Sequence, residues 1–163
     1  MSRKGCDRLG IAGAGIVSRD EMRTVIVTAA LIIEQGRILV TQRKKDSSHG
    51  LLWEFPGGKV EEGEDPRKAL RRELKEELDV EVQVGMLFDV VFHFYPEYPI
   101  LLLVFCCQVE KGSLKPLGCH DLRWVSLKEL ENLAMPLADD PIRKHLSSTE
   151  NPSFCKFNSS PDS

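Results

Sequence analysis

Apolar and polar residues fall in blocks along this chain, and most of the blocks read as strands. "TVIVTAALII" (24–33) is continuously apolar and rich in β-branched residues, the signature of a buried strand. "EQGR" supplies a turn, and "RILVTQR" (37–43) reads as the hairpin partner. "KKDSSHG" is a polar loop, and "LLWEF" is a short strand stopped by Pro56, Gly57 and Gly58. Residues 80–94 and 99–109 read as two longer strands joined by "YPEYP", and "LRWVSL" (122–127) as another short one.

The period changes between Asp65 and Leu78. Leu70, Leu74 and Leu78 recur at helical spacing behind Asp65, a good N-cap, and Pro66, which suits the first helical position. Residues 127–133 and the segment "LADDPIRKHL" read as two further short helices. Strands dominate, with helices inserted between them and no internal repeat. The expected class is α+β, a mixed β-sheet sandwiched between α-helices.

Two ends stand apart from this pattern. "RLGIAGAGIV" follows Arg3 and Lys4 and faintly imitates a short signal peptide. Because a strong strand starts just after Met22, residues 1–21 are read instead as a flexible leader or an extension upstream of the true start. Residues 147–163 are rich in Ser, Pro and Asn and are expected to be disordered. The domain proper is then 22–146.

Composition narrows the function classes. The 163 residues suffice for one domain, with 42% hydrophobic and 29% charged residues. A formal net charge of -3 gives no basic footprint for a nucleic-acid polymer and no polybasic membrane patch. No apolar run approaches the ~20 residues of a membrane span. Small anionic ligands remain open. The cysteines are Cys6, Cys106, Cys107, Cys119 and Cys155, an odd count without a CxxC pair. They are expected to be thiols of a cytoplasmic protein, with Cys106 and Cys107 buried and neither a disulfide framework nor a zinc site.

The chemistry concentrates in "GGKVEEGEDPRKALRRELKEEL" (57–78). Glu73, Glu76 and Glu77 fall within one arc of about 100° beside the leucine stripe. The like-charged i,i+4 pair Glu73 and Glu77 costs an isolated helix roughly 0.2–0.5 kcal/mol. A cation on that face would remove the penalty. Three carboxylates offer hard oxygen donors of the kind Mg²⁺ or Mn²⁺ takes, with substrate phosphates completing the shell. Gly57 and Gly58 let the backbone turn sharply and leave a bare carbonyl beside the helix.

From Gly58 onward this stretch resembles the Nudix box, G-x5-E-x7-R-E-U-x-E-E-x-G-U with U apolar. Gly58, Glu64, Arg72, Glu73, Leu74, Glu76, Glu77 and Val80 fall on the pattern. Asp79 departs from it, standing where the family has a glycine that ends the helix in the left-handed conformation. The segments "WEFPGGKVE" and "RWVSLKEL" are most similar to MutT-type nucleoside triphosphate pyrophosphohydrolases. The resemblance implies a Mg²⁺-dependent enzyme that cleaves a nucleoside triphosphate, probed first with oxidised substrates such as 8-oxo-dGTP, into monophosphate and pyrophosphate. The protein would be a monomer or homodimer.

Residue roles follow from the same resemblance. Glu73, Glu76 and Glu77 would bind the metal, with the Gly57 carbonyl, while Arg72 orients Glu73. Arg43 and Lys59 would contact phosphate. Asp139, in "PLADDPI", would read the base edge, with Phe94, Phe55 and Leu137 as pocket residues. Relatives often carry a glutamate as general base at the position of Gly118, which leaves Glu73, His120 or Asp121 for that task. An ionised Asp139 only accepts hydrogen bonds. That suits N7–H of 8-oxoguanine or the amine of cytosine, and guanine O6 only if the acid is protonated. CTP, dCTP or 5-modified cytosine nucleotides are the alternative substrates. A non-catalytic nucleotide-binding regulator is the alternative of another class.

Overall fold

The computed structural model describes residues 22–149 and 155–157. The expectation of a flexible leader at 1–21 lies outside the described residues.

Seven strands form one mixed sheet. They are β1 (Val25–Glu34), β2 (Arg37–Gln42), β3 (Trp53–Glu54), β4 (Gly57–Lys59), β5 (Glu81–Phe94), β6 (Pro99–Lys111) and β7 (Asp121–Val125). The main path runs β3-β2-β1-β6-β5, with β4 paired to β1 and β7 to β2. Among the described residues only β1 and β6 pair in parallel, and the other pairings are antiparallel.

Alternation along β1 sends neighbouring side chains to opposite faces. Ala30 and Ile32 face α1 (Pro66–Leu78), whose Leu70, Leu74 and Leu78 are fully buried there. Ala29 and Leu31 face the other layer, where α2 (Leu127–Glu131) and α3 (Asp140–Ser148) bury Leu130, Ile142 and Leu146. The α+β sandwich expected from the periodicity is the observed architecture.

The caps of α1 are built as its sequence implies. The Asp65 side chain accepts from the backbone N–H groups of Arg67 and Lys68 at 2.9 and 3.0 Å. At the other end Asp79 adopts the left-handed conformation, with φ 58 and ψ 35. Lys75 and Lys115 donate to its carboxylate at 2.8 and 3.1 Å, which offsets part of the cost of a non-glycine there.

Three sequence expectations are corrected. The glycines that were read as a strand stop are themselves strand β4, with Ala29 opposite Gly57 and Thr28 opposite Gly58. A Cβ on Gly57 would stand 2.0 Å from the Thr28 carbonyl oxygen, so glycine is what permits the close approach. Cys106 is not a thiol: it is bonded to Cys155, across 49 residues of sequence. Finally, the C-terminal tail is not wholly apart from the domain. α3 continues to Ser148, Cys155 packs against the core, and the Phe157 ring lies over Gly85. Cys107 is a buried free thiol as expected, pushed up to about 12 by burial.

Candidate active site

A cleft of about 490 Å³ opens between the N-terminal approach to α1 and the start of α3. That volume suits a small-molecule ligand. One wall carries Gly57, Gly58, Lys59, Glu73 and Glu77, and the opposite wall carries Tyr95, Pro136, Ala138 and Asp139. Arg43 and Glu54 line the cleft as well.

The first wall is organised by Arg72. Its Nε and Nη2 donate to the two oxygens of Glu64 at 2.8 and 2.9 Å, a bidentate pair, while Nη1 donates to Glu73 at 2.9 Å. Nη2 also donates to the Lys59 carbonyl at 3.1 Å, which ties β4 to the helix. Hydrogen bonding from Arg72 holds the Glu64 carboxyl down at about 2. Glu73 lies against the bare backbone of Gly58, where a Cβ would stand 2.3 Å from its carboxyl carbon. The glycine of the motif is thus the seat of the first glutamate.

Glu77 sits deeper. Burial first, then the negative charges of Glu54 and Glu73, push its carboxyl up to about 8. Burial also raises Glu73, against the pull of Arg72. Glu76 lies outside the cleft lining, 60% exposed, with Oε2 3.5 Å from Arg72 Nη1. Among the described residues, no three His, Cys, Asp or Glu side chains converge on one metal position. The donor set nevertheless fits a divalent cation: hard oxygens, crowded negative charge and a strained proton affinity at Glu77 that a cation would relieve. Glu73 and Glu77 would hold it, with Glu76 at the rim and Gly57 on the cleft wall.

The second wall centres on Asp139. It is 6% exposed, its side chain caps no helix N–H, and the adjacent Ala138 N–H donates to the Tyr95 hydroxyl at 3.2 Å. Burial, and then the charge of Glu54, push the Asp139 carboxyl up to about 8. The neighbouring Asp140 is a smaller influence and pairs with Arg143. Burial thus favours the protonated form of the Asp139 carboxyl, which can both donate and accept.

Several predicted residues meet in this cleft, and several do not. Gly57, Lys59, Glu73, Glu77, Arg43, Asp139 and Phe55 all line it. The exposed Lys59 Nζ stands 5.3 Å from the Tyr98 ring centroid, over its face. Phe94 does not line the cleft and is 46% exposed. It has the strand parity of Val90 and Phe92, both exposed, opposite to that of the core residue Val91. Tyr95, one step on, is the aromatic residue that reaches the wall. Leu137 is 63% exposed and also outside the lining. His120 and Asp121 stand outside it too, Asp121 being turned to the Leu122 N–H at 2.8 Å. Glu54 was missed, because its place depends on the pairing of Thr41 with Glu54 between β2 and β3.

The sequence model of the NUDIX domain matches residues 22–146. The chain belongs to the NUDIX family. Among its relatives, an 8-oxo-dGTP diphosphatase of Proteus vulgaris is 36% identical over 95 residues, covering 58% of this chain and 85% of that protein. The 8-oxo-dGTP diphosphatase of Escherichia coli is 34% identical over 111 residues, 67% of this chain and 84% of the relative. A CTP pyrophosphohydrolase of the same organism is 52% identical over 64 residues, 39% of this chain and 47% of that protein.

Solved structures share the fold. The E. coli ORF135 protein superposes with a TM-score of 0.70 at 34% identity, covering 79% of this chain and 92% of that one. A MutT protein from Methanosarcina mazei gives 0.68 at 26% identity, covering 78% and 93%. This NUDIX protein is a hydrolase of phosphoric anhydride bonds. No described helix is long and apolar enough to cross a membrane.

Proposed function

We propose that the chain is a Mg²⁺-dependent MutT-type pyrophosphohydrolase that converts an oxidised purine nucleoside triphosphate, 8-oxo-dGTP above all, to monophosphate and pyrophosphate. It would thereby clear damaged nucleotides from the pool in the cytoplasm. The observation that carries this reading is the cleft itself. It joins a carboxylate wall that fits a cation to a buried Asp139 on the opposite wall, where burial favours the protonated acid.

Divalent metal supplies charge neutralisation of the polyphosphate and a more acidic water. The chain's own residues do the rest. Arg43 and Lys59 line the cleft and would face the phosphates. Arg72 fixes Glu73, and Gly58 lets the carboxylate rest against the backbone. Of the three general-base candidates only Glu73 lines the cleft, which supports it as the group that would take a proton from the attacking water.

Asp139 favours an oxidised purine for a chemical reason. 8-Oxoguanine presents an acceptor at O6 beside a donor at N7–H, and a protonated carboxyl offers the matching donor and acceptor. Guanine presents two acceptors on that edge, which one carboxyl cannot satisfy together. Cytosine also shows an amine beside an acceptor, and the CTP pyrophosphohydrolase relative supports that second reading. The 8-oxo-dGTP diphosphatases support the first over a larger share of their length.

A Mg²⁺-containing panel of 8-oxo-dGTP, dGTP, CTP, dCTP and 5-methyl-dCTP, read as monophosphate and pyrophosphate release, tests the proposal. Preference for 8-oxo-dGTP over dGTP, weakened in Asp139→Ala, is the expected result. Preference for the cytosine nucleotides would replace it with the second reading. Binding without cleavage of any of them would leave a non-catalytic regulator.

A further inference from the structure

We propose that Glu54 is a positioning residue: its carboxylate sets the Arg43 guanidinium so that Nη2 is presented to an oxyanion in the cleft. The inference rests on the triphosphate reading above for the identity of that oxyanion.

The geometry is a three-way division of one guanidinium. Arg43 Nε donates to the Ser48 carbonyl at 2.7 Å, and Nη1 donates to Glu54 Oε2 at 2.8 Å. Nη2 has no hydrogen-bond partner among the described residues. The backbone of Arg43 is held as well, its N–H donating to Leu52 and its carbonyl accepting from Leu51. A guanidinium fixed through two nitrogens has lost its rotational freedom before any ligand arrives, and its planar fork suits a phosphate oxygen.

Glu54 is placed to do this. It stands at the end of the short strand β3, opposite Thr41, and its side chain is 24% exposed against 31% for Arg43. An ion pair so placed contributes little to folding, because desolvation offsets most of the attraction. It lies in the wall of the cleft, outside both hydrophobic clusters. A second negative charge beside a phosphate site would repel substrate unless the cation it holds were worth more than the repulsion.

The test is a double-mutant cycle on Glu54→Ala and Arg43→Ala, with the near-isosteric Glu54→Gln as the fold-preserving control. Two readouts are used: steady-state hydrolysis of the preferred triphosphate with Mg²⁺, and calorimetric binding of inorganic tripolyphosphate. Glu54→Ala should raise KM and weaken tripolyphosphate binding about tenfold, the scale of a charged hydrogen bond. kcat should stay within about threefold. Glu54→Gln should recover most of the loss, since an amide oxygen still accepts from Nη1. In the Arg43→Ala background, Glu54→Ala should add nothing. A full additional loss in that background, or a fall in kcat at unchanged KM, would show Glu54 acting on its own and overturn the proposal. So would equal tripolyphosphate binding by the wild type and Glu54→Ala. If the wild type cleaves no triphosphate, the functional reading fails, while the tripolyphosphate cycle still decides the role of Glu54.

Discussion

The Gly118 N–H donates to the Glu77 carbonyl at 3.0 Å, and a Cβ on Gly118 would stand 2.9 Å from Glu77 Cγ and 3.0 Å from its Cα. The loop before β7 is thus packed onto the backbone of α1 with no space for a side chain. A glutamate placed here would therefore displace Glu77 before it could offer a base. Gly118→Ala should lower kcat by about tenfold, within the range for disturbing a group that orients a metal ligand. Gly118→Glu should lower it further. A rise in kcat on Gly118→Glu would show that the loop can retreat.

Glu77→Gln removes a charge that burial and two neighbouring carboxylates already disfavour. Turnover should fall by about two to three orders of magnitude, the scale for losing one preorganised electrostatic group. The fold should survive, and thermal unfolding in chelator should show a melting point equal to or above that of wild type. Near-normal turnover would remove Glu77 from the metal site.

Proton linkage gives a stability prediction for the metal-free protein. Asp139 is raised from the ordinary 3.8 to about 8, and Glu77 from 4.5 to about 8. Between those limits the folded state holds protons that the unfolded state has released, so stability falls as pH rises. The full contribution is present below pH ~4 and is lost as pH climbs through ~8. Denaturant midpoints in chelator should decline across that window, and Asp139→Asn should flatten the decline. Saturating Mg²⁺ should remove the Glu77 share. A flat wild-type profile would mean that neither carboxyl is desolvated.

Cys155→Ser opens the cross-link to Cys106. Loss of a bond spanning 49 residues should cost about 2–4 kcal/mol in denaturant unfolding. Reductant should reproduce the effect in the wild type and leave the variant unchanged. Equal stability of all four samples would argue against the bond in solution.

The helix and the grouping of Glu73 and Glu77 beside its buried stripe were legible because both are local. The spacing of Leu70, Leu74 and Leu78 decides which face is buried, and the same spacing places Glu73 and Glu77 beside it. Asp65, Pro66 and Asp79 mark the ends by rules that act over a few residues. What the sequence concealed is non-local. Glu54 acquires its partner through strand pairing, and Cys106 through the return of the tail. Phe94 was misjudged by a single step, because β5 runs one residue out of phase with the cleft and Tyr95 takes the place. Strand β4 was hidden by the very glycines that make it, since a Gly-Gly pair reads as a stop unless another strand is known to need the space.

The Cys106–Cys155 bond has a topological meaning for the cleft. It closes the chain between those cysteines into a covalent ring that contains Gly118, β7, α2, α3 and Asp139. Arg43, Glu54 and the whole of α1 lie outside the ring. The segment that carries Pro136, Ala138 and Asp139 is therefore tied covalently to the central strand β6 at both ends, whereas the helix that carries Glu73 and Glu77 has no such cross-link among the described residues.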